Sequence, residues 1–215
     1  VFITSAHFMR ARCGGHSHIT TLHLFMPTVT IVYHSGSGHT RAMAEAVHAG
    51  AASVDGVTAQ LVAIEGTDIT EGRWHNDGVL KMLDASDAII FGSPTYMGCV
   101  SGQMKAFLDA TAERYFTRAW ADKLAAGFTV SGGPAGDKLN TLVTLAVFAM
   151  QHGMIWIGQE QTAFNDAGVN RLVFHLGAAG QAAQEDPYIA PNAADKETGR
   201  RLGVRVAAWA KRLRA

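Results

Sequence analysis

The sequence is short of the features that place a chain in a class at once. Cysteine is scarce, with only Cys13 and Cys99. That excludes the bridge-dense framework of a small secreted domain and points to a reducing compartment, the cytoplasm. No apolar run approaches the roughly 20 residues of a membrane-spanning helix, so no membrane insertion is expected. Charge of one sign is also lacking, because 18 Lys and Arg balance 18 Asp and Glu. A nucleic-acid partner needs a basic face, and none is expected here. A soluble electron shuttle often steers by strong net charge, and that is missing too. What remains is a 215-residue chain with 48% hydrophobic residues, suited to one packed domain of moderate size.

The chain is organised around Ser35-Gly36-Ser37-Gly38-His39-Thr40. The β-branched run Thr28–His34 precedes it and reads as a buried parallel strand. Arg41-Ala42-Met43-Ala44-Glu45-Ala46-Val47 follows and is a strong helix former. A turn between strand and helix aims free N–H groups at a ligand, and three hydroxyls add to them. Lysine is absent from the turn, so it is not the Gly-Lys-Ser/Thr loop of an NTPase. A dinucleotide fingerprint needs a third glycine where Arg41 stands, although Glu65 near the end of the next strand would suit it. An anion cradle and an ordinary turn with helix-capping serines both remain open at this point.

Residues 1–27 show no sustained period and do not form a secretory signal. They are expected to be a disordered or non-native extension, with Met26 as a natural start. The scattered His7, His16, His18 and His23 are not expected to hold a metal. From Thr28 strands and helices alternate five times. Strands are expected at Thr28–His34, Thr58–Ile64, Asp87–Gly92, Ala125–Ser131 and Met154–Ile157. The connector Glu65–Asp77 reads as polar and irregular, and Ser93–Cys99 as a loop. Ser101 is a plausible N-cap for a helix bearing Met104, Phe107, Leu108 and Thr111. A helix near Asp137–His152 is expected to turn Leu139, Leu142, Val143, Ala146 and Met150 inward. Gly158–Asn192 is long and Gly- and Ala-rich, and Asp195–Arg214 closes the chain with Leu202, Val206, Trp209 and Leu213 on one face. This pattern predicts an α/β doubly wound parallel sheet of order 2-1-3-4-5. Three glycine-bearing loops, Ser35–Thr40, Ser93–Cys99 and Ser131–Gly136, then converge on one sheet edge, where ligands bind.

The run Phe91-Gly92-Ser93-Pro94-Thr95-Tyr96-Met97-Gly98-Cys99-Val100-Ser101-Gly102-Gln103-Met104-Lys105 resembles the flavin loop and following helix of the WrbA-type NAD(P)H:quinone oxidoreductases, within the flavodoxin-like superfamily. Lys123–Ala125, Ser131–Gly133 and His152-Gly153-Met154 continue the likeness, which covers 28–157 and the closing helix. It implies non-covalent FMN. Ser35, Gly36, Ser37, Gly38, His39 and Thr40 match the phosphate loop. Pro94, Thr95, Tyr96, Met97 and Gly98 match the loop along the isoalloxazine. Ser131, Gly132, Gly133 and Pro134 match the loop on its other edge. His152 and Tyr115 fall where relatives place a histidine near the flavin and an aromatic residue over the substrate pocket. His152 is expected to hydrogen-bond or protonate a quinone oxygen. The implied reaction moves a hydride from NADH or NADPH to FMN and two electrons on to a quinone. A homo-dimer or homo-tetramer is implied, because in relatives a neighbouring subunit finishes the site. Leu176-Gly177-Ala178-Ala179-Gly180-Gln181 departs from the family's Gly-Thr-Pro-Tyr-Gly-like stretch. A flavodoxin-like carrier, an FMN-binding protein that oxidises no NAD(P)H, and an FMN reductase that releases its flavin are the alternatives.

Overall fold

Val29, Ile31 and Val32 are 0% exposed, which is what a strand covered on both faces demands. In the computed structural model, which describes residues 26–214, this strand is β1 (Thr28–Tyr33). The extension expected over 1–27 lies, but for its last two residues, outside the described residues. α1 (His39–Ala52), β2 (Thr58–Ala63), α2 (Asp77–Asp84) and β3 (Ala88–Tyr96) follow. Next come α3 (Gly102–Ala110), α4 (Ala112–Thr117), β4 (Leu124–Ser131) and α5 (Lys138–Gln151). The chain finishes with β5 (Ile155–Trp156), β6 (Ala178–Gln181) and α6 (Ala193–Arg214). The sheet runs β2-β1-β3-β4-β5 and these pairs are parallel, so the expected order 2-1-3-4-5 is observed. The register places Val29 opposite Ala88, Ala88 opposite Leu124, and Leu124 opposite Ile155.

Side chains alternating along the strands feed two cores. On one face Ile31, Ile90 and Phe128 pack with Met43, Val47, Leu202 and Val206 of α1 and α6. On the other, Val32, Ile89 and Phe91 pack with Trp74, Met104, Phe107, Leu145 and Phe148. α1 and α6 approach until backbone meets backbone: a Cβ on Gly203 would overlap the Val47 carbonyl, and one on Gly50 would overlap that of Arg200. No helix among the described residues is long and apolar enough to cross a membrane.

Five expectations are corrected. The Ser93–Cys99 stretch is not all loop. β3 runs on to Tyr96, and Cys99–Val100 folds back antiparallel on Thr95 and Tyr96. The Glu65–Asp77 connector holds a small hairpin, Ile69–Thr70 with Arg73–Trp74, which delivers the buried Trp74 to the core. The fifth strand is split, because β6 pairs with β4 beyond β5, Phe128 opposite Ala178. α5 turns Leu142, Leu145, Phe148 and Ala149 inward and leaves Leu139, Val143 and Met150 exposed. On α6, Leu202 and Val206 are buried but Trp209 and Leu213 are exposed, because the inward face passes through Ala207 and Ala210.

Candidate functional site

The carboxyl ends of β1, β3 and β4 lie side by side, and their loops enclose a cavity of about 210 Å³. Ser37, His39, Thr40, Pro94, Thr95, Tyr96, Ser131 and Gly132 line it. Thus one residue set from each of the three sequence-predicted loops reaches the same space. Its floor is a buried hydroxyl cluster. Thr95 Oγ1 lies 2.8 Å from Thr129 Oγ1 and 2.7 Å from Thr141 Oγ1, which locks β3, β4 and α5 together.

The Ser35–Thr40 turn is built as a donor cradle. Gly38 is the N-cap of α1 at φ +93°, a left-handed conformation open to glycine at little cost. Ser35 turns inward, its Oγ accepting from the N–H of Gly38 at 3.1 Å and of Arg41 at 3.2 Å. The N–H groups of Ser37, His39 and Thr40 have no acceptor among the described residues. They are the orphan donors of a helix N-terminus, where partial positive charge collects. His39 Nε2 donates to the Glu185 carbonyl at 2.6 Å, and its Nδ1 lies 3.2 Å from Ser37 Oγ. The tyrosine ring of Tyr96 covers Gly36, where a Cβ would strike the phenol oxygen. Met97 and Gly98 form the tip of the β3 turn at φ +46° and +81°, and Met97 stands fully in solvent. Asn140 of α5 holds this tip by donating to the Gly98 carbonyl at 2.8 Å.

Gly133 and Pro134 continue the third loop beyond Gly132. Their carbonyls turn inward to the ammonium of Lys138, which sequence reasoning missed because a lone lysine after a glycine-rich loop reads as solvated. The segment after β6 was also missed: Ala182 and Ala183 line the cavity, and Pro187 lies against Gly38. No residue of that segment carries a recognisable signal; Ala182 and Ala183 serve by being small.

His152 and Tyr115 are brought to each other, with ring centroids 6.2 Å apart, but not to the cradle of the same chain. α5 starts beside the cradle and its 14 residues carry the chain about 21 Å away before His152. The two line a separate, mostly apolar groove of about 470 Å³ with Leu108, Phe116, Val147 and Phe148. His152 is 3% exposed and boxed by Tyr115, Trp120 and Phe148. Burial, reinforced by the Arg118 charge, holds its pKa down at about 4. Thr111 Oγ1 donates to the Leu108 carbonyl at 2.7 Å, so it accepts from His152 Nε2 at 3.0 Å. Nδ1 is then a bare lone pair, buried without a partner. A neutral imidazole of this tautomer keeps its proton on Nε2, held to Thr111, and leaves Nδ1 as an acceptor near pH 7. A third cavity, about 480 Å³ and polar, lies under the Arg73–Trp74 hairpin. Cys99 is a free, half-buried thiol with its Sγ 3.5 Å from Thr144 Oγ1.

The cradle fits FMN on its own terms. Orphan donors suit a phosphate, and small residues let backbone approach a ribityl chain and a flat ring. A doubly wound sheet with this cradle at the ends of β1, β3 and β4 defines a flavodoxin-like FMN protein. Residues 28–168 match the NADPH-dependent FMN reductase family. The chain belongs to that family, an oxidoreductase family using FMN and a nicotinamide donor. A flavodoxin, FldP, from Pseudomonas aeruginosa is 36% identical over 88% of this chain and 100% of its own. An NAD(P)H dehydrogenase (quinone) from Archaeoglobus fulgidus is 31% identical over 87% of this chain and 100% of its own. The crystal structure of a flavodoxin, WrbA-like protein from Agrobacterium tumefaciens superposes with a TM-score of 0.68 at 40% identity, covering 86% of this chain and 98% of that one. The resemblance to WrbA-type proteins is thereby borne out.

Proposed function

We propose that this protein is an FMN-dependent oxidoreductase that takes reducing equivalents from NAD(P)H and delivers two electrons to a quinone, and that residues 28–215 form its single domain. The convergence of three donor-bearing loops on one cavity carries the proposal. FMN, when bound, supplies hydride acceptance and two-electron donation. The chain supplies the setting. The N–H groups of Ser37, His39 and Thr40 bind the phosphate. Pro94–Gly98 and Ser131–Pro134 hold the two ring edges, and the Thr95–Thr129–Thr141 cluster keeps those edges in register. Tyr96 gives apolar cover. His152 and Tyr115 lie one helix length from the cradle of their own chain, so their proposed contact with substrate requires a second copy in a homo-dimer or homo-tetramer. His152 would then accept through Nδ1 from a hydroxyl of the hydroquinone product, since a quinone oxygen has no proton to donate.

The likeness to a flavodoxin over nearly the whole chain supports a second reading, an electron carrier that ignores nicotinamide. An anaerobic absorption spectrum of FMN-loaded protein separates the two. Bleaching by NADH or NADPH and recovery on adding benzoquinone is the expected result. A bound flavin unmoved by both nucleotides refutes the oxidoreductase and leaves the carrier.

A further inference from the structure

The loop that forms one edge of the cradle is wrapped around a buried cation. Lys138 is 0% exposed, and Nζ donates to the carbonyls of Gly133 and, at 3.3 Å, of Pro134. An ammonium has three donors, and the third has no acceptor among the described residues. Asp195, in the first turn of α6, faces it but is already committed. Its Oδ1 accepts from Arg171 Nε and its Oδ2 from Arg171 Nη2, both at 2.8 Å, and Oδ2 also accepts from the N–H of Gln181 at 2.9 Å. Lys138 therefore has no ion-pair partner among the described residues. Burial holds its pKa down at about 8, the Asp195 charge raising it and the Arg171 charge lowering it again. At pH 7 it is charged.

The lysine also orients the loop. A trans peptide sets C=O and N–H on opposite sides. With the Pro134 carbonyl turned to Nζ, the N–H of Ala135 turns away from it. With the Gly132 carbonyl taken by Gln181 Nε2 at 3.2 Å, the N–H of Gly133 turns away from Gln181. Neither N–H has an acceptor among the described residues. The loop thus keeps two free N–H donors, that of Ala135 pointing away from an uncompensated positive charge.

We propose that Lys138 biases the site toward reduced cofactor: its charge behind the Ser131–Pro134 loop favours the negative charge that FMN gains at its pyrimidine edge on taking up two electrons and one proton. The inference rests on FMN occupying the cradle and is independent of which donor or acceptor serves it. Lys138 makes and breaks no bond; it acts through its field and through the loop, as a positioning residue. A buried cation without a counterion is costly in the cofactor-free fold and becomes favourable when an anion forms beside it. This bias suits a site that receives a hydride and opposes use as a low-potential carrier.

The test is the midpoint potential of FMN-loaded wild type, Lys138→Met and Lys138→Arg at pH 7, poised with dithionite against a reference dye. An opposite charge nearby shifts an ionisation by about one to three pKa units, so Lys138→Met is expected to bind reduced FMN about tenfold more weakly relative to oxidised FMN. That is a fall of about 30 mV for a two-electron couple. Lys138→Arg is expected to keep the wild-type potential. A wild-type potential in Lys138→Met overturns the proposal and leaves the lysine a loop staple. Should Lys138→Met take up no FMN, the wild type decides. Its reduced form is expected to hold the lysine proton to higher pH than the oxidised form, so the potential falls more steeply with pH just above 8 than below it. An unchanged slope overturns the proposal. No nicotinamide or quinone enters the experiment, so failure of NAD(P)H–quinone turnover leaves this result standing.

Discussion

His152 makes the stability of this protein fall on acidification by an amount that can be worked out. The imidazole sits in an aromatic box with Arg118 nearby and no facing carboxylate among the described residues, and its pKa is about 4 against an ordinary 6.5. Between those values the unfolded chain binds a proton that the folded chain refuses, so the folded state loses ground as pH falls from about 6.5 to about 4. Below 4 both states are protonated and the loss is complete. At about 1.4 kcal/mol per pH unit the whole loss is about 3 kcal/mol. The assay is urea unfolding followed by tryptophan fluorescence at pH 7.5, 6, 5 and 4, on wild type and His152→Gln. Other groups titrate in this range: burial lowers the pKa of His34, and Glu197 is held at about 2 by Arg200 and Arg201. They contribute equally to both proteins, so the difference between the two profiles is the quantity to read. Wild type is expected to lose about 3 kcal/mol more than the variant between pH 7.5 and 4. Parallel profiles would refute the buried, neutral imidazole and with it the assignment of Nδ1 as an acceptor.

Two further substitutions test the cradle and its support. Gly38→Ala forces a side chain into a left-handed conformation and sets Cβ 2.8 Å from Pro187 Cγ; the conformation alone costs about 1–2 kcal/mol. FMN titration by flavin fluorescence is expected to show at least about tenfold weaker binding, since 1.4 kcal/mol is a factor of ten; unchanged affinity would separate the α1 N-terminus from the phosphate. Asp195→Ala strips Arg171 and the Gln181 N–H of a carboxylate that is 1% exposed, a loss of about 3–5 kcal/mol. Thermal unfolding is expected to fall by at least about 6 °C; a fall under 2 °C would mean that the pair does not anchor β6 to α6.

The parts of the site that were legible in the sequence are those set by local chemistry. Ser101 caps α3 through its Oγ, accepting from the Met104 N–H at 3.2 Å, as its place before a helical run implies. The cradle followed from glycine and hydroxyl spacing between a strand and a helix. β6 was not legible, because Ala178-Ala179-Gly180-Gln181 has no β-branched residue. It is a strand because β4 offers an edge there, which is tertiary information. The inner face of α5 was misjudged for a related reason. The helix carries apolar side chains on two faces, and only the position of the sheet decides that Leu145 and Phe148 go in while Val143 and Met150 stay out. Lys138 was hidden because nothing in sequence shows that a loop will fold over a charge.

The split fifth strand limits backbone pairing on one flank of the sheet. An unbroken edge strand is a template on which another chain can extend the sheet through its backbone. Here the flank beyond β4 offers only the two residues of β5 and the four of β6, with residues 157–177 leaving the sheet between them. Trp156 Nε1 donates to the Leu176 carbonyl at 2.8 Å, and the Gln159 N–H donates to that of His175 at 2.8 Å, closing the excursion on itself. The flank is thereby guarded against fibre-like growth, and any association there has to be made by side chains, which recognise a particular surface, instead of by backbone, which recognises any strand.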